Sequence, residues 1–462
     1  MRAQGMQYGN TADFATEYIR RHEALIAPNT RDAELGMVIQ RARGTRLWDS
    51  TGKEYIDFDG SVAVAGIGHK HPRVAEAIAQ LFDPALDTID FVEATGRHYC
   101  FDITLAGKRI EVSEAALAET LIPCVFNGAV NDFCVIPTIT GKLAVDGATA
   151  LTLKMRPEKT HYIAFEKAFH GRLGFAGEYT RSKPIQKKDY PNSGITVHHL
   201  PFPQTEEDLK RGLELLNYIP LDRVNAVIYE TVQGEGGINK VSFPRMQALL
   251  SALTAGARER ILVIADEIQS GLGRTGKWFA FQHGPIEPDI VLVGKSLGGG
   301  LPVSAIVFKK DMFFAHSVRG ILERGWFSGT FPGYPLGSAA ALAVLGVIKE
   351  EKLVERAEEM GTKLATALGH FDGNTSNGAL CRQKGLGLMQ GLEFRKHDSI
   401  PDPKRRNTVL MALKNAKPLG ILTLGAGIDA LNPTIRFLPP LTVSREEIGY
   451  LETTLAWALT KN

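Results

Sequence analysis

From about residue 142 onward, short apolar runs punctuate the chain: HYIAFEKAF, NAVIYE, ILVIADE, DIVLVGK and VSAIVFKK, separated by stretches that read as helix or loop. Alternation of this kind predicts an α/β fold with a mostly parallel sheet. In such sheets the working site lies beyond the carboxyl ends of the strands, where loops and helix N-termini converge. Three of the runs end in a charged residue, Glu230, Asp266 and Lys295. A common pocket accounts for all three together, whereas any one alone reads equally as the solvent-exposed end of its strand.

Upstream, the stretch Leu47 to Phe58 holds a glycine-containing turn between two aromatic-rich runs and predicts a β-hairpin. His71-Pro-Arg-Val-Ala-Glu begins a helix, with proline in its first turn and apolar residues at helical spacing. FDITLAGKRIEV, at 101–112, alternates apolar and polar positions around Ala106-Gly107-Lys108, which suggests a hairpin; an ordinary surface insertion is the alternative. After about Ala340 the pattern returns to helix, followed by short strands and turns. The expected division is an N-terminal segment with part of a small domain (1–70), a large domain (71–340) and a C-terminal small domain (341–462).

Composition narrows the partners. The 462 residues are 44% hydrophobic and 23% charged, close to ordinary globular values. With 53 basic against 51 acidic residues, no charge excess draws a nucleic acid or an anionic membrane, so a small molecule is the expected partner. The four cysteines lack C-x-x-C spacing, which argues against a zinc site or a disulfide framework; reduced, mostly buried thiols and no metal are expected. The first residues carry no apolar leader core, and no run approaches the roughly 20 apolar residues of a membrane span. A cytoplasmic protein is the expectation.

The segments ILVIADEIQSGLGRTGKWFAF and PDIVLVGKSLGGGLPVSAIVF resemble the core of the class III aminotransferases, and the resemblance runs from about Leu47 to the C-terminus. It implies the pyridoxal 5′-phosphate fold type I: a large domain with a seven-stranded, mostly parallel sheet flanked by helices, and a small α+β domain drawn from both termini. Lys295 then matches the lysine that holds the cofactor as a Schiff base and shuttles the proton, chemistry that needs an amine of low enough pKa. Asp266 matches the carboxylate that keeps the pyridine nitrogen protonated, so that the ring can act as an electron sink. Gln269 matches the contact to the phenolic oxygen, and Glu267 reads as a second carboxylate or a structural cap. In Ala168-Phe169-His170-Gly171-Arg172, Phe169 matches the ring that stacks on the cofactor face, with His170 beside it.

Phosphate binding calls for backbone N–H groups at a helix N-terminus. Thr140-Gly141-Lys142 is the candidate, although T-G-K-L-A-V-D-G-A departs from the family's S-G-[ST]-E-A-N-E. Lys142 either adds charge there or faces solvent. Thr330, in G-T-F-P-G-Y-P-L, matches the threonine that reaches the cofactor phosphate of the neighbouring subunit, which implies a homodimer with shared sites; Tyr334 stands where the family has asparagine.

Two arginines match the carboxylate clamps of the family, Arg172 for the carboxylate far from the reacting carbon and Arg436 for the near one. Planar forks suit bidentate recognition of 2-oxoglutarate and glutamate. Glu235, in Q-G-E-G-G, matches an acidic gate that covers Arg436 when the amino donor bears no carboxylate there, and its flanking glycines suggest freedom to move. Val62 stands where ornithine-handling members place a tyrosine. These features imply a ping-pong transfer of a terminal amino group to 2-oxoglutarate, with 4-aminobutyrate first and lysine second as donor. The same core also serves epimerases, aminomutases and decarboxylases.

Overall fold

The computed structural model describes residues 12–27, 36–91, 97–183, 192–313, 318–374, 380–396, 400–426 and 433–461. Residues 1–11, on which the reading of the N-terminus partly rests, lie outside these ranges. At its centre is a seven-stranded sheet: β1 (Phe133–Thr138), β2 (His161–Phe165), β3 (Thr196–Leu200), β4 (Val224–Tyr229), β5 (Leu262–Asp266), β6 (Ile290–Val293) and β7 (Ser304–Lys309), in the order β1-β7-β6-β5-β4-β2-β3. The pairs β2–β3, β2–β4, β4–β5 and β5–β6 are parallel. Only β7 runs against its neighbours β6 and β1. Parallel pairing needs a crossover of a dozen or more residues. The link from β6 to β7 is shorter than that, so β7 returns antiparallel.

Every residue of β4 and β6 is buried. Helices cover both faces of a parallel sheet, which is why these strands read as continuous apolar runs. Register does the rest. Ala265 pairs with Tyr229 and Asp266 with Leu292, so Glu230, Asp266 and Lys295 emerge along one end of the sheet.

A second sheet joins distant parts of the chain. The hairpin Arg46–Asp49 and Glu54–Asp57 pairs on one side with Ile39–Arg43 and on the other, in parallel, with Gly420–Leu422. A third, five-stranded sheet holds Thr434–Phe437 between Met389–Arg395 and Leu424–Ala426, and carries Arg436. The helix read from His71 spans Pro72–Leu81, with the His71 side chain accepting the Arg73 N–H. The 101–112 stretch is a hairpin, Phe101–Leu105 against Lys108–Val112, docked on that helix by paired hydrogen bonds between Gln80 and the Thr104 backbone.

The cysteines depart from expectation. All four are free, but only Cys381 is buried; Cys100 is exposed, and Cys124 and Cys134 are half-buried. Cys100 falls in the outward phase of the hairpin with Asp102 and Thr104, and Cys134 lies on the edge strand β1, where one side has no neighbour. Among the described residues no helix is long and apolar enough to cross a membrane, and no group of three or more His, Cys, Asp or Glu side chains could hold a metal ion.

Candidate active site

A cavity of about 490 Å³ opens at the carboxyl ends of β2, β4, β5 and β6, a size suited to a small-molecule ligand. Lys295 lines it. The chain leaves β6 through an extended Gly294 and enters a tight turn at Lys295, whose φ is +46°, a region that non-glycine residues adopt only when their surroundings enforce it. Ser296 supplies that enforcement, donating its hydroxyl to the Ala63 carbonyl at 2.7 Å. Burial pushes the Lys295 amine down to about 8; Glu235 opposes the shift and Arg436 adds to it.

Asp266, at the end of β5, meets His170 Nδ1 at 2.6 Å, and both side chains are buried. Its other oxygen accepts the Ile268 N–H at 3.2 Å. Burial works against a charged His170, yet the Asp266 carboxylate, helped by Glu230, outweighs it and raises the histidine's pKa. Glu230, one residue beyond β4, also lines the cavity. Its two oxygens accept the N–H groups of Phe169 at 3.1 Å and Gly234 at 3.2 Å, tying the Phe169 loop to the Glu235 loop. Burial raises this carboxyl to about 7, against the opposing pull of His170. The sequence marked Glu230 as a strand-end charge and assigned it no task; its partners lie 61 and 4 residues away along the chain.

Glu267 is not part of the cavity lining. It accepts hydrogen bonds from Thr231, Ser270 and the backbone of Ala280 and Phe281, all within 2.9 Å, and so is a structural anchor. Gln269 lines the cavity, and its Oε1 is buried without a hydrogen-bond partner, as is Nε2 of His170.

Thr140 caps the helix Gly141–Met155, its hydroxyl accepting the Leu143 N–H at 3.2 Å. Gly141 and Lys142 line the cavity, whereas Thr140 is exposed outside the lining. A β-carbon on Gly141 would come within 2.8 Å of Ile268, so glycine lets the helix end approach the site. Lys142 forms an ion pair with Asp146 one turn on, which in turn accepts the Ala176 N–H at 2.9 Å. Lys142 lines the cavity, while its ammonium is engaged by Asp146 and its side chain is partly exposed.

Arg172 is an exposed member of the lining, at the cavity rim. Arg436 is only 4% exposed and is ion-paired to Glu235, which lines the cavity. Burial alone would raise the Glu235 carboxyl, but Arg436 holds it below the usual range. Two expected site residues stand apart. Val62 is half-buried in the turn after Asp59 and is not part of the lining, and Thr330 is exposed away from it.

The family described as "Aminotransferase class-III" matches residues 27–459. A 2-aminoadipate transaminase of Pseudomonas putida is 32% identical over 89% of this chain and 92% of its own. The 5-aminovalerate aminotransferase DavT of Pseudomonas aeruginosa is 31% identical over 88% and 89%. An ornithine aminotransferase structure from Toxoplasma gondii superposes with a TM-score of 0.76 at 25% identity, covering 96% of this chain and 95% of that one. Another structure of that enzyme has partial occupancy of the pyridoxal cofactor at its active site. A Bacillus anthracis aminotransferase, at 23% identity, shares the fold with a TM-score of 0.81.

The cavity fits such a cofactor. It offers an amine of depressed pKa, a buried carboxylate and two buried polar atoms with no partner, which a polar ligand would satisfy. The chain belongs to the class III aminotransferases and is a pyridoxal 5′-phosphate-dependent enzyme of that family.

Proposed function

We propose that the enzyme moves a terminal amino group from an ω-amino acid, with 4-aminobutyrate as first donor and lysine as second, to 2-oxoglutarate. The observation that carries this reading is the ion pair between Glu235 and Arg436. A buried arginine left without a counter-charge is costly. Glu235 supplies one when the incoming amine has no carboxylate beside its reacting carbon, and yields when 2-oxoglutarate or glutamate brings its own. The names of the relatives that act on 5-aminovalerate and on acylated ornithines support a donor whose amine is distant from its α-carbon.

Bound pyridoxal phosphate supplies an electron sink and carries the amino group between the two half-reactions. The remaining tasks belong to the chain. Lys295 would hold the cofactor and, as a free amine of lowered pKa, would carry the proton at the reacting carbon. Asp266, oriented by His170, would serve the ring nitrogen, Gln269 the ring oxygen and Phe169 the ring face. Gly141 and Lys142, with Thr140 capping their helix, would hold the phosphate, completed by Thr330 from the second subunit of a homodimer. Arg172 binds the distal carboxylate at the rim, and Val62 leaves the donor side of the site apolar.

The test is a panel of single half-reactions. Cofactor-loaded enzyme is mixed with 4-aminobutyrate, lysine, ornithine, acetylornithine, 5-aminovalerate and 2-aminoadipate, and bleaching of the cofactor band ranks them. A preference for 2-aminoadipate over every ω-amino acid would overturn the reading.

A further inference from the structure

The hairpin that carries Glu235 ends on a backbone anomaly. Val232–Gln233 pairs antiparallel with Asn239–Lys240, which leaves Gly234 to Ile238 as the connecting loop. Ile238, the last residue of that loop, has φ of +58°, in the left-handed region where a β-branched side chain is an outlier. Its side chain is fully buried, so the surroundings hold it in that conformation.

Those surroundings are one row of the five-stranded sheet. Lys384, on the strand Leu380–Leu386, pairs with Gly391, and Gly391 pairs in turn with Arg436. Residues directly opposite each other in antiparallel strands share a face of the sheet. Lys384, Gly391 and Arg436 therefore form a transverse row whose middle member has no side chain. Ile238 occupies that gap: a β-carbon on Gly391 would lie 3.0 Å from the β-carbon of Ile238.

The hairpin is gripped from both flanks of the row. On one side, Glu235 is ion-paired to Arg436. On the other, the Lys384 ammonium donates to Asn239 Oδ1 at 3.1 Å, and the buried Asn239 amide donates to the Gly236 carbonyl at 2.8 Å and to Gln233 Oε1 at 3.1 Å. Lys384 is itself ion-paired to Glu393, which also pairs with Arg395. A continuous chain of polar contacts thus runs from Glu393 through Lys384 and Asn239 to the carbonyl of the residue after Glu235. Neither Lys384 nor Glu393 lines the cavity.

We propose that Lys384 is a positioning residue for Glu235. Through Asn239 it fixes the hairpin across the row so that Glu235 meets Arg436 pre-organised, and so sets how strongly Glu235 competes with a substrate carboxylate for that arginine. The inference rests on the reading of Glu235 as the exchangeable counter-charge of Arg436.

Isothermal titration calorimetry of the cofactor-loaded enzyme with glutarate, an unreactive five-carbon dicarboxylate, reads this competition. E235A is expected to bind glutarate more tightly than the parent, because the competitor is gone. K384M, which leaves Glu393 its pairing with Arg395, is expected to tighten binding by about threefold or more, the scale of the ordering lost from one side chain. In the K384M/E235A double variant it is expected to add nothing beyond E235A, since residues that act through one contact are not additive. N239A breaks the same chain from the hairpin side, is expected to act in the same direction, and stands in where K384M does not fold. A residue that merely supports the sheet would weaken binding, with or without Glu235. If E235A tightens binding while K384M and N239A do not, or if they change it equally in the E235A background, the role of Lys384 is overturned and the gate stands. If E235A binds glutarate no more tightly than the parent, the gate itself falls, and this inference with it.

Discussion

Gly234 has no side chain because Gln269 occupies the place where one would be: a β-carbon built on Gly234 would lie 1.5 Å from Gln269 Oε1. Gly236 is likewise closed in, its β-carbon 2.6 Å from the Lys167 carbonyl oxygen. Neither φ lies in the left-handed region. The Gly234 N–H is held by Glu230, and Asn239 donates to Gly236 and Gln233. Gly234 and Gly236 thus serve close packing, on a backbone held by Glu230 and Asn239.

Gly234→Ala follows directly. The added methyl must displace Gln269 or the loop, an overpacking cost of about 1–3 kcal/mol. Pyridoxal phosphate retention is expected to fall by about tenfold or more, read as loss of the cofactor absorbance on dialysis. Unchanged retention would show that Gln269 does not contribute to the cofactor site.

Glu235→Gln separates the two half-reactions. The amide cannot neutralise Arg436, so reaction with 4-aminobutyrate is expected to slow by about tenfold or more, the scale of a buried charge left without its partner. The glutamate half-reaction, which brings its own carboxylate, is expected to be retained. Stopped-flow measurement of cofactor bleaching checks the ratio; equal slowing of both removes the gate.

Lys295 predicts a pH dependence for cofactor loading. Carbonyl addition needs the neutral amine, and burial lowers this lysine to about 8. Uptake of pyridoxal phosphate by the cofactor-free protein should therefore accelerate as pH rises toward 8 and level off above it. A rate still climbing steeply beyond pH 9 contradicts the assignment.

His170 predicts a pH dependence of stability. Its folded pKa is raised above the unfolded value of about 6.5. Folding therefore takes up a proton, and the stabilisation is full below pH 6.5 and fades as pH rises through the folded pKa. His170→Phe is expected to lower Tm most at pH 6 and progressively less toward pH 9. A deficit that grows with pH reverses the sign and refutes it.

Much of this enzyme was legible along the chain. The strands β2, β4, β5, β6 and β7 announced themselves as apolar runs because a doubly covered sheet buries both faces of each strand. The charges at their ends, Glu230, Asp266 and Lys295, do line one cavity, since parallel strands in register deliver consecutive carboxyl ends to the same edge. By contrast, β1 and β3 passed unnoticed. They are the two edge strands, with half-buried and exposed positions that dilute the apolar signal.

What the sequence determined by itself was the set of local identities: which strands form, and which lysine, aspartate and arginines match the chemistry of the family. Only the tertiary structure decided how those residues share charge and space. Glu267 became an anchor and Lys142 a partner of Asp146, while Arg436 came to pair with Glu235, 201 positions earlier in the sequence. A carboxylate's role depends on burial and on donors brought together by packing, and neither is written in the spacing of residues along one chain.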